Sequence, residues 1–323
     1  FRQKMPPAAR PRRPAAAKPA AAKDQAAPGF GRVYTCLRVR PALNEDEGGV
    51  DNVALQCDRN QRLVWALGGP GGEEDAAPRQ FAFDELLEQH QQQQDAFDAV
   101  GVPAVKAALA GGIGCVVCYG ANGAGRRYSM QCERVGQEGI LPKVNTMLFP
   151  GRSAAGPGMR MPAPGDHADE RSAVQSKTRV EVAYLVLTKE QQVRDLLAGA
   201  GVALSTDPLS DPLQFATWQP AASAAEVSRL LARGDANKPA GMEHTAPSRG
   251  WHSLIAYRLT HESGAQGTLL LATLADADTV ISDGVGGAPS ALSASMEALG
   301  ASFEAMAAGQ KGDFHSTHAP LTA

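Results

Sequence analysis

Periodic apolar spacing is absent from residues 1–30 and begins at Gly31, from where strand-like and helix-like patterns alternate. Val33, Thr35, Leu37 and Val39 share one face of an extended segment, which predicts a first strand. Residues 91–110 read as a helix, and the apolar run Ile113 to Tyr119 reads as a strand. A glycine-rich loop follows, then a second helical region ending near Leu148. Residues 150–177 are rich in Pro, Gly and Ala and predict an exposed loop. Val180 to Leu187 has strand character and is expected to feed a helix over Lys189 to Leu197, with further strands at Trp251 to Leu259 and Thr268 to Leu274. The last apolar face starts after Pro289, presents Leu292, Met296, Leu299, Phe303 and Met306 at helical spacing, and stops at Gly309. This alternation predicts an α/β domain over 31–323, without internal repeats or heptads.

Composition adds bounds. With 323 residues, 43% of them hydrophobic, and a formal net charge of -3, the chain can bury one large core or two modest ones. No stretch approaches the ~18 apolar residues of a membrane span, and the N-terminus lacks a basic-then-apolar signal, so a soluble chain at an intracellular address is expected. Cys36, Cys57, Cys115, Cys118 and Cys132 have no framework spacing and are expected to be free thiols. Cys115 and Cys118 form a C-x-x-C, but on a strand they point to opposite faces, which predicts core packing and not redox or zinc chemistry. The histidines lack metal-ligand spacing. Residues 1–30 carry Arg2, Lys4, Arg10, Arg12, Arg13, Lys18 and Lys23 against the acid Asp24, and read as a disordered basic arm.

Chemistry concentrates in the glycine loop. Strand, glycine loop and helix make a phosphate-binding unit, and the P-loop pattern G-x-x-x-x-G-K-S/T uses backbone N–H groups, a lysine and a hydroxyl to hold phosphates and Mg²⁺. Here Gly120, Ala121, Asn122, Gly123, Ala124 and Gly125 keep the frame, but Arg126 and Arg127 occupy the lysine and hydroxyl positions.

Read outward, GANGAGRRYSM (120–130) resembles the loop GQTGSGKTYTM of the kinesin motor domain family, and six flanking segments resemble that family in the right order. They are LRVRPALNEDE (37–47), FAFDELL (81–87), the stretch 93–120, GILPKVNTMLF (139–149), VEVAYLVLTKEQQVRDLL (180–197) and SMEALGASFEAMAAGQK (295–311). The resemblance implies a P-loop NTPase-like fold with a central, mostly parallel sheet flanked by helices, the family's final helices and neck lying beyond this chain. Arg38, Arg40 and Pro41 match the family's adenine-contacting RxRP, and Tyr128 is placed to stack on a base; a solvated strand end and a half-buried aromatic is the plainer alternative.

Departures from the family cluster at its catalytic positions. Where DLAGSE supplies an Asp near Mg²⁺ and a Gly that senses the γ-phosphate, this chain has TLADAD (273–278), with Thr273 for the Asp and Asp276 for the Gly. Against NxxSSRSH, the segment TAPSRGWHS (245–253) matches only with a shift: either Ser248 and Arg249 correspond, or His252 does. An arginine at 127 offers donors and no acceptor where Mg²⁺ wants oxygen ligands, so Mg²⁺ binding and turnover are expected to fail.

Three states of the pocket remain open: Arg126 and Arg127 clamp a diphosphate such as that of ADP or ATP without metal, they pair with Asp276 or Asp278 and seal the site, or weak ATPase survives. The sealed state is favoured. The resemblance implies tubulin as partner, yet from Gly264 to Ala323 the chain has Lys311 against Asp276, Asp278, Asp283, Glu297, Glu304 and Asp313, an acidic balance that opposes the acidic microtubule surface. The basic arm is the alternative tubulin contact; the net charge argues against nucleic acid. The expectation is thus a non-motile structural module of a microtubule assembly in the cytoplasm and cytoskeleton, such as a ciliary axoneme, alongside other microtubule-associated proteins and requiring no cofactor. A weak ATP-dependent motor and a nucleotide-binding switch are the alternatives.

Overall fold

The computed structural model describes residues 33–41, 55–67, 78–150, 178–188, 193–199, 202–204, 212–238 and 251–275, with residue 299. The basic arm, nearly all of the 150–177 loop and the apolar face of 292–306, apart from Leu299, lie outside the described residues. Strand β1 (Cys36–Arg38) is shorter than the 33–39 expected and pairs in parallel with β5 (Glu85–Leu87). Between them in sequence, β2 (Leu55–Asp58), β3 (Leu63–Ala66) and β4 (Arg79–Ala82) form an antiparallel meander that the apolar pattern did not announce.

The helix expected over 91–110 is realised as α1 (Gln93–Ala96), a π-turn over Phe97–Gly101 and α2 (Val102–Leu109). It leads into β6 (Ile113–Cys118), the loop 119–125, α3 (Arg126–Gln131) and α4 (Ile140–Leu148). Next come β7 (Arg179–Thr188), β8 (Val193–Asp195), β9 (Val202–Leu204), β10 (Gln219–Ala221), α5 (Ala224–Ala236), β11 (Trp251–Thr260) and β12 (Gln266–Thr273).

The main sheet runs β6-β12-β11-β7-β8-β9, with β10 also on β7. Only its β6–β12 pair is parallel among the described strands, so the expected α/β fold stands, but its sheet is mixed and not mostly parallel. The reason is local: β11 and β12 are joined by a tight hairpin, in which His261 N donates to Ala265 O (2.9 Å) and Gly264 sits at φ +82, and a hairpin forces antiparallel pairing. β7 is a near-continuous apolar run because β11 flanks it on one side and β8 and β10 on the other, and both its faces are covered.

The helix expected over Lys189 to Leu197 is corrected. Val193–Asp195 is a strand paired antiparallel with β7, its burial alternating with period two. Asp195 is fully buried and its carboxylate accepts from Leu197 N (2.9 Å), Ala198 N (3.2 Å) and Thr217 N (2.6 Å), which turns the chain directly after the strand. Tertiary hydrogen bonding overrides the helical preference of the segment.

The core lies between the sheet and α2, α4 and α5, around Val105, Val144, Val227, Tyr257, Leu259 and Leu269. Helix α2 rests directly on strand backbones: a Cβ at Gly114 would stand 1.9 Å from Ala104 O, and one at Gly267 would stand 1.8 Å from Ala108 O. Val116 is buried beside Gly114, whereas Ile113 and Cys115 are exposed, so Cys115 is not the core residue expected. The cysteines described are free thiols, Cys118 half-buried. No helix among the described residues is long and apolar enough to cross a membrane.

Candidate functional site

The glycine loop leaves the C-terminal end of β6 and enters α3 at Gly125, which adopts φ +87, a left-handed turn that favours glycine; Gly123 adopts φ +78. Ala121, Asn122, Gly123 and Ala124 are exposed, while Gly120 is half-buried. Ala124 N donates to Ala121 O (3.2 Å) and Ser129 N to Gly125 O (2.9 Å), so the glycine frame is folded as a loop opening a helix.

Arg126, the first residue of α3, is only 8% exposed, and its Nη1 donates to the carbonyl of Leu274 just past β12. Thr273 ends β12 opposite Cys118 of β6 and Ser253 of β11, and Leu274 N continues the ladder by donating to Cys118 O (3.0 Å). The structure therefore brings Arg126 and the 273–275 stretch together. Asp276 and Asp278 lie outside the described residues. Of the two registers open for 245–253, Ser248 and Arg249 are also outside them, whereas His252 is 2% exposed and its Nδ1 accepts from Ala275 N (2.9 Å). Of the residues that distinguish the two registers, His252 is thus the one described, next to the β12 exit.

Arg127 is exposed and lines an open groove of about 640 Å³ between α3 and α5, with Gln131, Arg134, Tyr184, Ser228 and Asp235. Deep in this region Tyr184 Oη donates to Asp235 Oδ1 (2.9 Å), and Lys238 Nζ meets the same oxygen at 2.7 Å. Burial, then the Asp235 charge, hold the Tyr184 phenol well above its ordinary range, with Arg127 pulling the other way.

Arg38, the first residue of the RxRP segment, meets two side chains and an aromatic ring. Arg38 Nη1 donates to Gln93 Oε1 (2.6 Å) and Ser129 Oγ (2.9 Å), and its guanidinium lies 5.3 Å from the Tyr128 ring centroid. Tyr128 is 41% exposed. Arg40 is half-buried, its Cδ 3.7 Å from where a Cβ on Gly125 would be, and Pro41 is exposed.

Gln93, absent from the sequence reading, organises this corner: 4% exposed, it accepts from Arg38 and donates through Nε2 to Tyr128 O (2.7 Å) and Gln137 O (3.1 Å). No sequence signal separates it from Gln91, Gln92 and Gln94 beside it. Below the loop, burial pushes the Cys118 thiol up to about 11, against the pull of Arg126 and Arg38.

Several known proteins are similar to this chain in sequence. Kinesin-like protein KIN-12F of Arabidopsis thaliana is 36% identical over 80 residues, covering 22% of this chain and 7% of that protein. Kinesin-like protein KIF26A of Mus musculus is 26% identical over 323 residues, covering 87% of this chain and 16% of that protein. KIN-5D of Arabidopsis thaliana is 31% identical over 125 residues, 36% of this chain and 12% of its own length. The chain thus spans a small part of these relatives. The kinesin motor domain model matches residues 38–320, from β1 through the glycine loop to beyond β12, and the chain belongs to the kinesin motor domain family.

Proposed function

We propose that this chain is a non-motile kinesin-like structural module of a microtubule-based assembly, working by protein–protein contact, with a nucleotide pocket closed upon itself. One observation carries the reading: the Arg126 guanidinium is buried and donates to the Leu274 carbonyl. Burying such a cation is costly unless its donors are taken, so a side chain held this way is part of the wall and not a free arm for phosphates. The residues also do not fit a Mg-nucleotide. Arg127 has five donors and no acceptor at the motif's hydroxyl position, and Thr273 stands where the family has a carboxylate. No hydrolytic step follows, and ATP or ADP is not required.

Tubulin and other microtubule-associated proteins are the partners on this reading, reached in part through the basic residues of 1–30. The address is the cytoplasmic cytoskeleton, and a stable array such as a ciliary axoneme suits a module that does not move. Titration calorimetry with ADP and ATP, with and without Mg²⁺, tests the closed pocket. Silence at millimolar nucleotide is expected; micromolar affinity overturns it.

A second reading, a nucleotide-sensing switch that binds without hydrolysis, draws on the intact glycine frame, with Gly123 and Gly125 at positive φ and Ala121 to Ala124 exposed. It expects affinity that does not depend on Mg²⁺ and no phosphate release on adding microtubules. Stimulated release would instead identify a slow motor.

A further inference from the structure

The carbonyl of Leu274 and the N–H of Ala275 belong to one peptide unit, and side chains from two distant segments hold its two ends. Arg126, from the start of α3, donates to the carbonyl, and His252, from β11, accepts from the N–H at 2.9 Å. The unit sits where backbone pairing runs out. β11 pairs with β12 as far as Ser253–Thr273, and Leu274 N still reaches Cys118 O, but the next carbonyl and the next N–H have left the ladder. Both residues are buried, Leu274 at 2% and Ala275 at 0% exposure, so these polar groups need partners inside the protein.

We infer that Arg126 and His252 form a latch on this peptide unit, which fixes the chain leaving β12 against the helix that follows the glycine loop, whether or not a ligand is present. A peptide unit is planar and rigid, so turning it to release one end moves the other. The two arms therefore open together, coupled through the peptide unit that both hold. The Nδ1 atom must accept, so the imidazole proton sits on Nε2, and His252 acts as a positioning residue. The inference goes beyond the closed-pocket reading, since a latched exit is compatible with either an empty or an occupied loop.

Amide hydrogen exchange read at Ala275 tests it. Arg126→Met keeps the bulk of the side chain and removes the donor; it is expected to speed exchange of the Ala275 amide by about 10- to 100-fold although residue 126 does not touch that amide. Arg126→Lys, which keeps a donor, stays closer to the parent protein. His252→Leu loses the protection, and His252→Asn, whose Oδ1 replaces the Nδ1 acceptor, retains most of it.

Unchanged Ala275 exchange in Arg126→Met, or equal loss in the Leu and Asn variants, overturns the latch. The amides of Val182 and Tyr257 in the central ladder report whether each variant is folded. Should Arg126→Met not fold, exchange of the parent protein in low denaturant decides: the amides of Ala275 and Ser129 must open at the same denaturant concentration, and separate opening refutes the coupling. Adding ADP must leave Ala275 unchanged. ADP binding without such a change would sink the closed-pocket function and leave the latch standing, whereas absence of binding with an unresponsive Ala275 in Arg126→Met would do the reverse.

Discussion

Asp195 shows how much one side chain decides in this fold. Its buried carboxylate serves three backbone N–H groups, and removing it strands them all. Asp195→Ala should lower the unfolding free energy by about 2–5 kcal/mol in urea titrations, and Asp195→Asn by less, because an amide oxygen still accepts. Cys118 makes a prediction in pH. Its thiol is raised from 9.0 to about 11 by burial, so in the folded chain it stays neutral after the unfolded chain has begun to ionise. That contribution is whole below pH 9 and is lost as pH climbs towards 11, where stability falls. Comparing urea midpoints at pH ~8 and ~10.5, Cys118→Ser should show the smaller decline. At this scale the sequence was legible where a motif gives the residue a place, as for Arg126, Arg127 and the glycines of 120–125. It was silent for Gln93, whose importance comes from contacts with Arg38, Tyr128 and Gln137, each from another part of the chain.

Elements were legible where burial and periodicity agree. β6, β7, β11 and β12 lie within a residue or two of their expected bounds because each is an apolar run of strand length. The meander β2–β4 was missed because β4 is exposed at every position and carries little apolar pattern. Helix α5 did have a signal, the Ser223 to Glu226 spacing at its start, where Ser223 Oγ accepts from Glu226 N (3.2 Å). Near its other end, Gly234 faces the Tyr184 ring, and a Cβ there would stand 2.5 Å from Cδ1. Alanine would gain about 1 kcal/mol in helix preference over glycine, yet the collision costs about 1–3 kcal/mol. The ring cannot yield easily, being tied to Asp235 and lying under Lys238. Gly234→Ala should therefore be destabilising by up to about 2 kcal/mol and lower the thermal midpoint, the reverse of the usual effect in an exposed helix.

Across the whole molecule, charge is distributed unevenly. The cations of residues 1–30 stand at one end of the sequence and the acids of 264–323 at the other. If the arm carries the contact with acidic tubulin, deleting residues 1–28 should reduce microtubule co-sedimentation several-fold at low salt, and raising salt should erode the parent's binding in the same way. Unchanged co-sedimentation would assign the contact to the folded domain. The global fold class was legible because alternating strands and helices with a glycine loop narrow the architectures sharply, but strand direction was not, since pairing partners are set by connections that residue patterns do not encode. The β6–β12 pair makes this concrete and reaches into how the chain acquires its structure. Residue 113 is matched with residue 268, so among the described strands the one that launches the glycine loop meets its main-sheet neighbour only when nearly the whole described chain has been synthesised. Closing so long a loop is entropically slow, and the loop's geometry should be among the last features to form, leaving Ile113 and Val117 open to wrong pairings in the interval.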